Sequence, residues 1–104
     1  MRKAFVMQLK PGFEAEYKRC HDEIWPELVA LLKAYGIADY HIFLHPRTLQ
    51  LFGIFEVPES FDDRGLKREP VMLRWWQSMS PLMETLADSD EPQAIPLIPT
   101  FYLE

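Results

Sequence analysis

The sequence predicts an α+β fold of the ferredoxin-like type, with the element order β-α-β-β-α-β and a four-stranded antiparallel sheet. Two segments, residues 13–35 and 71–86, repeat apolar residues at helical spacing. Four shorter segments have the apolar composition of strands; they are residues 2–9, 38–45, 49–57 and 97–104. Each helical segment therefore lies between two strands, as the split βαβ arrangement requires.

The first strand, residues 2–9, is followed by a helical pattern that contains a proline. Gly36 ends this pattern, and a glycine commonly follows the last turn of a helix. Pro26 removes one backbone donor and its ring crowds the preceding turn. We therefore expect the helix to kink or to restart near Trp25.

The second half of the chain begins with a hairpin. Residues 38–45 and 49–57 are strands joined by a short turn. Residues 58–70 are charged and contain prolines and a glycine, which predicts a loop with at most one helical turn. Pro81 interrupts the second helical pattern, and residues 87–96 are expected to form a surface connection before the last strand.

Both faces of the predicted hairpin are apolar. Alternate residues such as Leu51 and Phe55 would lie on one face, and Phe52, Ile54 and Phe43 on the other. An antiparallel sheet covered by helices on one side normally presents polar residues to water on the second side. The sequence therefore predicts a homodimer packed sheet to sheet, of the dimeric α/β barrel type.

Composition narrows the class of protein and of partner. The length of 104 residues predicts a single domain, residues 1–104, with 48% hydrophobic and 26% charged residues. A net charge of −5 argues against a nucleic acid or an anionic membrane as partner. The single cysteine and the lack of an apolar run long enough for a membrane span or a signal peptide predict a cytoplasmic protein.

Common catalytic motifs are missing from the sequence. It contains no glycine-rich phosphate loop, no nucleophile elbow and no CxxC pair. His41 and His45 lie about 13 Å apart at ~3.3 Å per strand residue, too far to share a metal, so no metal site is predicted. Cys20 and His21 point about 100° apart on a helix, which favours a packed thiol over a nucleophile.

Tyr17, His21 and Trp25 have the spacing i, i+4, i+8 and form one stripe of the first helix. An imidazole has an ordinary pKa of about 6.5, which suits proton transfer near neutral pH. A packed histidine bonded to a backbone carbonyl explains the same spacing and is favoured on spacing alone. The sequence does not choose among the acidic candidates for a partner base, which are Asp22, Glu23 and Asp39.

Three further aromatic residues are candidates for a binding site. Trp75 and Trp76 are consecutive, so they cannot both face the core fully, and one should lie toward a cleft or an interface. Aromatic faces can bind the C–H surface of a sugar while nearby polar groups bind its hydroxyls. Packing in the core and at a dimer interface explains the pair equally well. Tyr40 is a third candidate, with a packing role as the simpler explanation.

Several blocks of the chain resemble the L-rhamnose mutarotase family. They include H-x-x-I-W-P-E-L at residues 21–28 and R-W-W at 74–76, together with RKAFVMQLKPG, LFGIFEV and the terminal FYL. The resemblance extends nearly from end to end. It implies a dimeric ferredoxin-like protein that interconverts the α and β anomers of L-rhamnose without a cofactor.

The resemblance also implies roles for particular residues. His21 would be the catalytic proton donor, and the sugar would be bound by Tyr17, Tyr40, Trp75 and Trp76. Residues 58–70 and 87–96 depart from the family pattern, so a related 6-deoxyhexose is a possible substrate. Two alternatives stay open: a cofactor-free monooxygenase of the same fold, and a sugar-binding module without catalysis.

Overall fold

Strands and helices alternate along the chain in the predicted order. The structure, a computed structural model, describes all of residues 1–104. The elements are β1 (Arg2–Gln8), α1 (Glu14–Asp22), α2 (Pro26–Ala34), β2 (Ala38–Leu44), β3 (Gln50–Glu56), α3 (Asp63–Leu66), α4 (Pro70–Met79), a 3₁₀ turn (Ser80–Leu82) and β4 (Ile95–Pro96). None of the helices has both the length and the apolar character needed to cross a bilayer.

The strands form one four-stranded antiparallel sheet in the order β2-β3-β1-β4. This order and the element sequence confirm the ferredoxin-like α+β fold. Alternate residues of the central strands, such as Met7 and Leu51, belong to a cluster of 13 buried side chains. The other members of that cluster include Tyr17 and Leu28 from the first two helices and Trp75 from α4, so the helices cover this face of the sheet.

The first helical segment is divided into two helices, as the position of Pro26 predicts. Trp25 has an extended backbone, with φ −62° and ψ 130°, and α2 begins at Pro26. The residue before a proline is biased toward this conformation, and a proline is well accommodated in the first turn of a helix. The break lets the last turn of α1, which carries His21, adopt a direction independent of α2.

The prediction for residues 71–86 was correct about an interruption near Pro81 but wrong about residues 83–86, which are not helical. The α-helix stops at Met79 and continues only as a 3₁₀ turn over Ser80–Leu82. Pro81 has no N–H to continue the α-helical hydrogen bonds. Met83 then bridges to Leu9 beside β1, which draws the chain back to the sheet.

The last strand was also predicted in the wrong place. Only Ile95 and Pro96 pair with β1, inside the segment expected to be a surface connection, and residues 97–104 have no regular structure. One more hydrogen bond follows, from the Leu97 N–H to the Ala4 carbonyl. Pro99 has no N–H and limits any longer ladder. The chain leaves the sheet at this point.

The face of the sheet opposite the helices is apolar. We call it the outer face and define it by Val6, Phe43, Phe52 and Ile54, none of which packs in the buried core. Phe43 is 58% exposed. The C-terminal segment is equally apolar, and four of its side chains, Ile98, Phe101, Tyr102 and Leu103, are 79–86% exposed.

Three aromatic rings pack on the helix side of the sheet because one glycine leaves room for them. Gly53 pairs with Phe5 across the sheet, and a Cβ at Gly53 would overlap the Phe5 ring. Phe5 contacts Tyr40 edge to face with 6.2 Å between ring centroids, and Tyr40 stacks on Phe55 at 5.2 Å. The glycine thus allows the ring arrangement that positions Tyr40.

We expect Gly53→Ala to lower the free energy of unfolding by about 1–3 kcal/mol, because the added methyl displaces the Phe5 ring. Urea denaturation followed by tryptophan fluorescence measures this change. In a Phe5→Leu background the same substitution should cost less, since the shorter side chain can yield. Equal costs in the two backgrounds would contradict the assigned contact.

Candidate active site

A cavity of about 1030 Å³ lies between the helix side of the sheet and the helices. Its walls are mainly apolar, with 23 hydrophobic residues among the 33 that line it. The five site residues taken from the resemblance all line it; they are Tyr17, His21, Tyr40, Trp75 and Trp76. A mainly apolar cavity with a few convergent polar groups is typical of a small-molecule site.

His21 lies in the last turn of α1 and presents one ring nitrogen to the cavity. Its Nδ1 is 2.9 Å from the backbone carbonyl oxygen of Tyr17. A carbonyl only accepts, so Nδ1 carries the hydrogen and donates it, and Nε2 of the neutral ring is left as an acceptor. Nε2 has no hydrogen-bond partner within the chain. Since no fully buried side-chain nitrogen or oxygen lacks a partner in this structure, Nε2 is not fully buried. Nε2 is therefore accessible from the cavity.

The environment of His21 favours its neutral form. Burial lowers the pKa of the imidazole below its ordinary value, and the Tyr17 carbonyl and the Asp22 carboxylate oppose this shift without cancelling it. At neutral pH, Nε2 therefore carries a lone pair that can accept a proton.

The two tyrosines contribute neutral hydroxyl groups. Burial raises the pKa of Tyr17, and the nearby Tyr40 raises it further. Burial also raises the pKa of Tyr40. Tyr40 is 39% exposed as a whole, but its pKa responds to the protein packed around the hydroxyl rather than to the open side of the ring. Both hydroxyls stay protonated near neutral pH and can donate hydrogen bonds.

Both tryptophans of the R-W-W block line the cavity, although their spacing predicted that only one would lie toward a cleft or an interface. Trp75 is 7% exposed and meets the His21 ring edge to face, with 5.4 Å between centroids. Trp76 is half-buried. Trp25 does not line the cavity but packs edge to face on Trp75 at 5.2 Å. The predicted stripe of three residues therefore divides: Tyr17 and His21 lie in α1 and line the cavity, whereas Trp25 lies beyond the end of α1 and supports the cavity wall.

The structure also separates the candidate acids. Asp22 lines the cavity and forms an ion pair with Lys18 at 2.9 Å. The other two carboxylates lie outside it: Glu23 pairs with Arg19 and Asp39 with His41. No three His, Cys, Asp or Glu side chains are grouped so as to hold a metal ion.

Sequence reasoning missed a group of charged residues in the cavity wall. Asp63 and Lys67 come from the segment that was predicted only as a charged loop, and Glu91 from the segment predicted as a surface connection. Neither segment has a periodic pattern, so no signal in the sequence could place these side chains in the cavity.

Comparisons with known proteins identify the family. The sequence profile described as L-rhamnose mutarotase matches residues 2–103. The chain belongs to the L-rhamnose mutarotase family. It is 49% identical over 100 residues to the L-rhamnose mutarotase of Mesorhizobium japonicum, covering 96% of this chain and 94% of the relative. It is 47% identical over 104 residues to that of Flavobacterium johnsoniae, covering 100% and 96%.

A solved structure from the same family has the same fold. The crystal structure of the L-rhamnose mutarotase of Formosa agariphila matches with a TM-score of 0.90 and 36% identity, over 100% of this chain and 99% of the other. These findings confirm the family that the H-x-x-I-W-P-E-L and R-W-W blocks indicated.

We expect His21 to titrate below pH 6.5 in histidine-selective NMR, because burial lowers its pKa. Between 6.5 and that lower value the unfolded chain binds a proton that the folded chain does not. The free energy of unfolding should therefore fall as the pH drops below 6.5, and fall less in His21→Asn. Urea denaturation at about pH 7.5 and pH 5.5 measures this difference. Equal pH dependence in both proteins would contradict the lowered pKa.

Proposed function

We propose that this chain interconverts the α and β anomers of L-rhamnose, with His21 as the group that moves the protons. The observation that carries the proposal is an accessible, unprotonated Nε2 in a cavity large enough for a sugar, in a mutarotase-family chain. Interconversion of anomers is an isomerase reaction. The relatives of this chain in Mesorhizobium japonicum and Flavobacterium johnsoniae carry the name of that activity.

Anomer exchange moves two protons without net gain or loss. One proton leaves the hydroxyl on the anomeric carbon and one reaches the ring oxygen, while the bond between that carbon and the ring oxygen breaks. The resulting aldehyde rotates about its bond to the next carbon, and the ring closes on the other face of the carbonyl. The reaction therefore needs a base and an acid in alternation.

A single imidazole can supply both functions in turn. Neutral His21 accepts the anomeric proton at Nε2, and the imidazolium then donates it to the ring oxygen, which is bonded to the same carbon. The proton-donor role that the resemblance implies is the second half of this cycle. The Nδ1–H bond to the Tyr17 carbonyl holds the ring orientation throughout and stabilises the cationic form.

The aromatic residues bind and orient the sugar. The hydroxyls of Tyr17 and Tyr40 are neutral donors for oxygen atoms on the pyranose ring. The indole faces of Trp75 and Trp76 provide a surface for its C–H groups. The methyl group of a 6-deoxy sugar suits an apolar wall, although one methyl discriminates only ~10–200-fold.

We expect His21→Asn to lower the catalysed rate of anomer exchange by about 10²–10⁴ with the fold retained. Asparagine preserves an N–H for the Tyr17 carbonyl but has no titratable nitrogen. Saturation-transfer NMR on L-rhamnose measures the rate. In the wild type, kcat/KM should fall as the pH drops through the lowered pKa of His21, since protonation removes the base.

The matched control is His45→Asn, because His45 lies outside the cavity in the β2–β3 turn. Exchange unchanged in His21→Asn would remove the assigned role. Sugar binding without any exchange in the wild type would favour a binding module instead, and oxygen consumption with an aromatic substrate would favour a monooxygenase. The same assay on L-rhamnose, L-fucose, L-mannose and D-glucose defines the substrate class.

We propose further that two chains pack through their outer faces. Val6, Phe52 and Phe43 lie side by side across the outer face and no helix covers them. The apolar C-terminal segment leaves the sheet after Leu97, and its exposed side chains would lose their contact with water in a pairing of two chains. A symmetric pair would bury both surfaces at once.

We expect light scattering coupled to gel filtration to give twice the chain mass of 12.3 kDa. Phe43→Lys should shift the protein to the monomer mass, because it places a charge in the apolar interface. Leu73→Lys is the matched control, since Leu73 is 48% exposed on the helix side. A monomer mass for the wild type at micromolar concentration would exclude the proposed pairing.

Two further expectations from the sequence stay proposals. The buried side chains form one cluster, which supports the assignment of residues 1–104 as a single domain. The unpaired Cys20 supports a cytoplasmic location, which cell fractionation can check.

A further inference from the structure

Three charged side chains meet at one part of the cavity wall. Lys67 Nζ is 3.1 Å from the Glu91 carboxylate and 3.5 Å from that of Asp63. All three residues line the cavity that contains His21. Lys67 follows directly after α3, and Glu91 lies in the loop before β4, so the cluster joins two segments far apart in sequence.

Glu91 is the least exposed of the seven charged residues that line the cavity. Its side chain is 28% accessible, against 43% for Lys67 and 58% for Asp63. The Lys18–Asp22 pair near His21 is 76% and 60% exposed by comparison. Partial burial strengthens hydrogen bonds to charged groups, so Lys67 and Glu91 are the stronger partners for a bound ligand.

The cluster also borders a second, smaller pocket. This pocket measures about 340 Å³, and it shares three wall residues, Lys67, Trp76 and Glu91, with the main cavity. Its other lining residues are mainly polar and include Gln77, Ser89 and Asp90. The Lys67–Glu91 pair therefore stands beside Trp76 where the apolar cavity changes to polar surroundings.

We propose that Lys67 and Glu91 bind hydroxyl groups of the sugar on the side of the cavity formed by Trp76. The inference rests on the proposed mutarotase function and names the residues that select the substrate within it. Glu91 accepts from one or two neighbouring hydroxyls, and Lys67 donates to their oxygens while staying paired with Asp63. A pyranose on the Trp76 face then has polar partners for hydroxyls that the apolar walls leave unsatisfied.

Backbone hydrogen bonds fix the backbone at Lys67 and Glu91 independently of their ion pair. In the loop, the Leu86 N–H donates to the Glu91 carbonyl and the Gln93 N–H to that of Glu84. At the end of α3, the Lys67 N–H donates to the Asp63 carbonyl. Substitutions that remove only the charges should therefore leave both segments folded.

Glu91→Gln and Lys67→Met test the inference by kinetics. We expect each to raise KM for L-rhamnose about 10–100-fold while kcat changes less than about threefold, since the contact binds the ground and transition states alike. Lys67→Arg keeps the charge and should recover most of the affinity. Arg64→Met removes a charge from α3 at a position outside the cavity, so it should change neither KM nor kcat.

Singly deoxygenated analogues of L-rhamnose separate binding from a merely structural role. In the wild type, removal of the contacted hydroxyl should raise KM, and in Glu91→Gln this difference between the analogue and L-rhamnose should disappear. Any of three results would overturn the inference. They are an unchanged KM in both variants, a loss of kcat as large as the rise in KM, and a difference between the analogue and L-rhamnose that is fully retained in Glu91→Gln. If the wild type catalyses no exchange, only the proposed function is defeated. Kd values measured by calorimetry for the same sugars then still test the inference.

Discussion

The hydrogen bond from His21 Nδ1 to the Tyr17 carbonyl is the constraint on which the site depends. It selects the tautomer, holds the plane of the ring and leaves Nε2 directed at the cavity. Burial lowers the pKa of the same ring, so the nitrogen that reaches the cavity is unprotonated near neutral pH. One local contact within α1 thus sets the position and the protonation state of the group that would do the chemistry.

The sheet positions the aromatic residues of the cavity wall by packing rather than by charge. Gly53 leaves space for the Phe5 ring, and Phe5 and Phe55 together hold Tyr40. Among the helices, Trp25 supports Trp75 in the same way, by packing edge to face against its ring. The cavity is consequently walled by rings that pack against one another, which suits a reaction whose catalyst must stay aligned while the substrate opens and rotates.

The polar groups of the cavity are distributed unevenly around these rings. Tyr17, His21 and Tyr40 provide neutral hydrogen-bonding atoms beside the exposed Lys18–Asp22 pair, while the Asp63–Lys67–Glu91 cluster provides less exposed charge beside Trp76. Such a division would let one region handle the anomeric centre and another the remaining hydroxyls. The outer face, which is apolar at its centre and which no helix covers, would be available for the proposed association with a second chain.

Local and periodic features were determined by the sequence itself. Apolar spacing identified the first three strands and the long helical segments, and Pro26 and Pro81 placed the interruptions within those segments. The spacing of Tyr17 and His21 placed both on the cavity side of one helix. These features depend on backbone geometry over a few residues. Tertiary structure alone decided the two-residue strand β4 and the meeting of Lys67 with Glu91. The physical reason is that these features arise from contacts between segments distant along the chain, which leave no periodic pattern in the residues that make them.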